Sequence, residues 1–93
     1  MTAAHEDPID ERALSRLRWR CRRGLLENDL FIQRFFARYE HSITPQQAQA
    51  LETLMDLSDN DLLDLLLGRT ALPPPGDTPQ AREVLHMLRS RQP

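Results

Sequence analysis

Apolar residues along this chain recur at helical spacing, and no stretch alternates in the manner of a strand. Leu14, Leu17 and Cys21 fall at i, i+3 and i+7, which predicts a first helix from Asp10 with this stripe facing a core. At 100° per residue Trp19 lies roughly 140° round from Leu14, within a narrow arc shared with Arg12, Arg16 and Arg23. A second helix is predicted over about Leu25–Glu40, burying Leu25, Phe31, Ile32, Phe35, Phe36 and Tyr39, with Glu27, Arg34 and Arg38 on its outward strip.

Start and stop signals divide the rest. Thr44-Pro45-Gln46-Gln47 combines a threonine cap, proline at the first helical position and glutamine three residues after the cap. The third helix begins there, carries Leu51, Leu54 and Met55 inward and is expected to end near Leu57. Ser58-Asp59-Asn60-Asp61 is a further cap with acids in the first turn. It opens a short fourth helix over Asp59–Leu67, apolar almost all round and therefore expected to be central, which stops at Gly68. Residues 70–79 hold four of the seven prolines and read as a stiff connection. Thr78-Pro79 repeats the cap-then-proline signal for a last helix, with Val84, Leu85 and Leu88 inward and Arg89, Ser90 and Arg91 closing it. The expectation is an all-α single domain, a compact bundle of five short helices over residues 10–91, after a frayed end at residues 1–9.

Ninety-three residues suffice for one domain that folds alone. The one cysteine rules out an internal disulfide. The acidic start, Met1 to Glu11, resembles neither a secretory nor a transit signal, so a cytoplasmic location is expected. The apolar run Leu62–Leu67 is too short and too interrupted for membrane insertion. The net charge of −2 conceals segregation: Arg12–Arg23 holds six arginines and no acid, and Ser42–Gly68 holds five acids and no base. His5, His41 and His86 have no metal-binding spacing, and Cys21 sits on the apolar stripe, where it acts as a small hydrophobe. No constellation for catalysis or phosphate cradling is present, so an enzyme acting alone is not expected.

Chemistry concentrates in Arg22-Arg23-Gly24-Leu25-Leu26-Glu27-Asn28-Asp29. Glycine in a helix costs roughly 1 kcal/mol against alanine, so Gly24 marks a helix end, a turn or a close approach by another backbone. Arg23 and Glu27 flank it with a forked donor and a bidentate acceptor, a combination suited to a polar protein partner. An intrahelical Arg23–Glu27 pair, worth about 0.2–0.5 kcal/mol, is the plain structural alternative.

Read with gaps, the segment Arg16-x-x-Trp19-x-x-Arg22-Arg23-Gly24-x-x-Glu27-x-Asp29 resembles the small flavinylation (FAD assembly) factors of succinate dehydrogenase. Their Arg-Gly-x-x-Glu motif is matched at Arg23, Gly24 and Glu27, and Phe35-Phe36 with Tyr39 is similar to their second helix. The acidic N-terminal extension and Pro73-Pro74-Pro75 are peculiar to this chain. The resemblance implies an assembly chaperone, not an enzyme, that binds the flavoprotein subunit of succinate dehydrogenase, with the fumarate reductase flavoprotein subunit as a second client. It further implies that the client's own histidine takes up the FAD covalently, that the factor holds no FAD stably itself, and that it works as a monomer. Arg16, Trp19, Arg22, Arg23, Gly24, Glu27 and Asp29 are then the partner-binding residues. Other readings remain: a small nucleic-acid-binding or other protein-interaction module on the basic face Arg12–Arg23, the former opposed by the net negative charge and by Glu27 and Asp29, and a different protein-interaction domain built on the leucines of the fourth helix.

Overall fold

Local caps decide where this chain turns helical. In the computed structural model, which describes residues 7–72 and 76–89, Asp10 accepts the Ala13 N–H at 2.8 Å and starts α1, Glu11–Arg20. Thr44 and Gln47 form a reciprocal box, each side-chain oxygen accepting the other's backbone N–H, and α3 runs Pro45–Leu54. Ser58 accepts the Asp61 N–H at 3.2 Å to open α4, Asp59–Leu66, and Thr78 accepts the Ala81 N–H at 3.1 Å to open α5, Pro79–Arg89. Satisfying such orphan donors is worth about 0.5–2 kcal/mol per helix start. Only α2, Leu26–Tyr39, begins without a side-chain cap. Gly68 ends α4 at φ 77°, a backbone shape that side chains with a Cβ resist.

The described residues thus form five helices and no strand, the all-α bundle expected. The core takes Leu17 and Cys21 from α1 and its cap, Ile32, Phe35 and Phe36 from α2, Leu51 and Leu54 from α3, Leu62, Leu65 and Leu66 from α4, and Val84, Leu85 and Leu88 from α5. The rings of Phe35 and Phe36 meet edge to face at 5.3 Å, a geometry that adds about 0.5–1.5 kcal/mol to the area they bury. The α3 and α5 helices pack most extensively, and α2 lies against both α4 and α5. Arg89, in the last turn of α5, donates Nε–H to the Leu65 carbonyl at 2.9 Å, which also accepts the Gly68 N–H, and so ties the two helix ends together.

Three expectations need correction. The third helix stops at Leu54, not near Leu57: the N–H groups of Asp56 and Leu57 bond back only three residues, to Thr53 O and Leu54 O, in a tightened last turn. The fourth helix is buried on one face only, through Leu62, Leu65 and Leu66, while Leu63 is half-buried and Leu67 is 47% exposed. The chain is also tied down before residue 10, because Ile9 is half-buried and donates its N–H to the Ile43 carbonyl at 2.8 Å. Residues 1–6, the prolines 73–75 and the closing Ser90 and Arg91 lie outside the described residues. Among the described residues no helix is long and apolar enough to cross a membrane.

Candidate functional site

The link between α1 and α2 separates two neighbouring arginines. After Arg20 the Cys21 N–H bonds back to Leu17 O and Arg18 O, and its side chain is fully buried in the core. From there the chain leaves helical geometry until Leu26, so the helical period that placed Arg23 beside Trp19 no longer applies. Arg22 points outward and Arg23 inward.

Arg23 spends its donors within the fold. Nε–H donates to Asp59 Oδ1 at 2.7 Å, Nη1 to Met55 O at 2.8 Å and Nη2 to Leu57 O at 2.8 Å, and the side chain is only 14% exposed. It clamps the α3–α4 link to the motif turn. The expectation that Arg23 reaches a partner directly therefore gives way to a role exerted from behind the surface. The plain structural alternative fails too, since the ion pair of Arg23 is with Asp59 and not with Glu27. Asp59 is held below the ordinary carboxylate range, first by the Arg23 hydrogen bond, with Asn28, the Arg23 charge and the Leu25 N–H acting in the same direction.

Asn28 was not among the residues singled out from sequence, yet it is the one fully buried polar side chain among those described. Its Nδ2 donates to the Asp59 backbone O at 2.8 Å and approaches Asp59 Oδ1 at 3.4 Å. A signal existed. Asn28, Ile32, Phe35 and Tyr39 recur at i, i+4, i+7 and i+11, so a polar group sits on the apolar face of α2. Its Oδ1 has no hydrogen-bond partner among the described residues.

Gly24 is exposed at the crest of the turn. Its φ is not positive, and a Cβ built there meets nothing within 4 Å. Neither backbone strain nor internal crowding demands glycine at this point.

The outward residues frame a groove of about 710 Å³ between α1 and α2. Trp19 is 72% exposed, and the Arg22 guanidinium lies over its ring at 5.2 Å. Across the groove Asp29 accepts from Gln33 Nε2 at 2.7 Å. Deeper along it, Arg18 stacks on Phe36 at 5.3 Å and pairs with Glu40. The structure thus brings Trp19, Arg22 and Asp29 together on one groove. Glu27, exposed in the first turn of α2, lies on the opposite flank of that helix from Asp29, beside the exposed Arg34 and Arg38. Arg16 is exposed one turn before Trp19, outside the groove lining. Leu26 and Leu30, 66% and 41% exposed, add an apolar strip between the two flanks of α2.

Half of the arginine run is neutralised internally. Arg18 pairs with Glu40, Arg20 with Asp56 at 2.9 Å and Arg23 with Asp59. The charge segregation seen along the chain is in part complementarity, since Arg20 and Arg23 meet Asp56 and Asp59 of the acidic stretch. Arg12, Arg16 and Arg22 remain without an ion pair among the described residues. The Cys21 thiol is pushed up to about 12, first by burial and then by the Glu52 charge, which outweigh Arg20 and Arg23. It stays protonated at neutral pH and is no nucleophile. Among the described residues no three metal-ligating side chains gather in one place.

Comparison with known proteins agrees with the motif. The family described as flavinator of succinate dehydrogenase matches residues 15–92. The FAD assembly factor SdhE of Ralstonia nicotianae is 48% identical over 89 residues, which is 96% of this chain and 92% of that protein. The FAD assembly factor SdhE of Coxiella burnetii is 34% identical over 80 residues, covering 86% and 89% of the two chains. That of Legionella pneumophila is 42% identical over 60 residues, 64% of this chain and 76% of its own. No solved structure matches. With a match that spans the motif turn, the groove and all of the last four helices, this chain belongs to the family of flavinators of succinate dehydrogenase.

Proposed function

We propose that this protein is an assembly chaperone that binds the flavoprotein subunit of succinate dehydrogenase and promotes covalent attachment of FAD to it. The observation that carries the reading is Gly24: an exposed glycine that the fold itself does not require, set between the Trp19–Arg22 stack and Glu27. Space kept free of side-chain bulk has a physical purpose when another surface must come close.

Around that point Trp19, Arg22, Asp29, Glu27 and Arg16 offer the client an amphipathic ring, a stacked guanidinium and carboxylates. Such anchors concentrate binding energy when they are desolvated together. Arg23 supports the site from beneath. The covalent step belongs to the client, whose FAD and acceptor residue the factor holds in a competent arrangement. Positioning of that kind can lower a barrier by several kcal/mol without contributing a reacting group. The factor acts as a cytoplasmic monomer, with the fumarate reductase flavoprotein subunit as a second client, and FAD stays with the client throughout.

The deciding experiment is flavin fluorescence of the succinate dehydrogenase flavoprotein on a denaturing gel, with the factor absent, present as wild type, or present as Gly24→Arg. Fluorescence dependent on the wild type and lost with a folded Gly24→Arg supports the reading. Equal fluorescence in all three lanes refutes it.

A further inference from the structure

Asp59 opens α4, but capping that helix is the work of Ser58, whose hydroxyl accepts the Asp61 N–H. The Asp59 carboxylate faces the other way. It receives Nε–H of Arg23 at 2.7 Å and Nδ2 of Asn28 at 3.4 Å. The Asp59 carbonyl takes the second Asn28 contact, at 2.8 Å. These donors come from residues 23 and 28, on both sides of Gly24.

Gly24 has no anchor of its own. Its φ is not positive and a Cβ built on it meets nothing within 4 Å, and glycine loses more backbone freedom on ordering than any other residue. The shape of the turn must then be imposed from its flanks, and one carboxylate thirty-five residues further along the chain reaches both. Arg23 keeps two other bonds, to Met55 O and Leu57 O. Removal of the Asp59 carboxylate therefore leaves Arg23 and Asn28 on their backbone acceptors and takes away the one group that joins the two flanks of the turn.

We infer that Asp59 is a positioning residue for partner recognition: acting through Arg23 and Asn28, it holds the Gly24 turn in the shape that the client flavoprotein meets. The inference rests on the proposed function, and it extends the partner-binding surface to a residue that does not touch the partner.

The test joins a readout in the free protein to one with the client. Asp59→Ala should displace the Gly24 and Leu25 amide resonances in a ¹H–¹⁵N spectrum and leave those of Val84 and Leu88 in place. It should weaken binding of the flavoprotein subunit about tenfold, the scale of coupling between contacting residues. Added to Arg23→Ala it should cost little more, because the two act in series, and Asp59→Glu should restore part of the affinity. Arg82→Ala, which breaks the exposed Arg82–Asp77 pair, serves as the control. If Asp59→Ala does not fold, Asp59→Asn, which keeps the acceptor oxygen and loses the charge, takes its place. Unmoved Gly24 and Leu25 resonances, wild-type affinity in a folded variant, or full additivity with Arg23→Ala would each overturn the inference. If the wild type itself fails to bind the flavoprotein, the proposed function falls; displaced turn resonances in the free protein then uphold the positioning and unmoved ones overturn it.

Discussion

The guanidinium of Arg22 lies 5.2 Å from the centroid of the Trp19 ring, and both side chains stand in solvent. A cation over an exposed indole is worth only about 0.5–1 kcal/mol, and among the described residues neither side chain makes a hydrogen bond or an ion pair. Each has its donors and its aromatic face turned to the outside. Burial of that face by a partner would make the same stack count for more, because its desolvation is then shared.

Trp19→Ala and Arg22→Ala should accordingly leave unfolding nearly unchanged, with losses of no more than about 1 kcal/mol. Flavinylation of the client should fall sharply for both. Urea denaturation followed by helical circular dichroism gives the first quantity and in-gel flavin fluorescence the second. Full flavinylation with Trp19→Ala would remove the ring from the interface.

Gly24→Ala separates stability from function more cleanly. Its φ suits an ordinary residue and the added methyl meets nothing within 4 Å. The substitution should therefore stabilise the free protein by about 0.4–1 kcal/mol, through the reduced entropy of the unfolded chain. Client binding should weaken, since the methyl enters the space left for the partner. Denaturation midpoints and titration calorimetry with the flavoprotein check the two signs, and a drop in stability would show that the turn needs glycine for its own sake.

What could be read from the residues in order was whatever is local. Thr44-Pro45, Ser58 and Thr78-Pro79 each act within four residues, and each starts a helix where expected. The motif turn was legible as a surface because Gly24 and Trp19 are expensive to place without reason. The partners of Arg23 were not, since they lie 32 to 36 residues away and an uninterrupted helical period would carry Arg23 outward. Only the end of α1 at Arg20 turns it inward, and that end depends on Cys21 sinking into a core assembled from other helices. Asn28 was overlooked for a related reason: polar residues on helices are ordinarily solvated, and its burial exists only once Asp59 is beneath it.

Cys21 yields a prediction with a definite sign. Its folded thiol ionises near 12 in place of 9.0, raised chiefly by burial. Between those values the unfolded chain releases a proton that the native protein keeps, so stability is full below pH 9.0 and declines as pH rises toward 12. At pH 8 the native thiol should resist an aromatic disulfide reagent, and its reaction rate in urea should follow the unfolded fraction. Rapid reaction without denaturant would place Cys21 outside the core.

Asp59 titrates in the opposite sense. Its folded carboxyl lies below the ordinary 3.8, held there first by Arg23, so the native state keeps it ionised where the unfolded chain has taken up a proton. The stabilisation it supplies is complete above the unfolded value and is lost as pH falls through the lower folded value. Asp56 and Glu40 keep their own ion pairs with Arg20 and Arg18 in both proteins. Their contributions are common to the wild type and Asp59→Asn and cancel in the difference between the two. Urea midpoints for both proteins from neutral pH down to about 2.5 should then show a gap that is constant near neutrality and narrows below 3.8. Since the side chain is 35% exposed, salt should narrow that gap as well, by screening the attraction to Arg23. A gap that persists unchanged at the acid end would assign the role of Asp59 to shape and hydrogen bonding, with its charge contributing nothing.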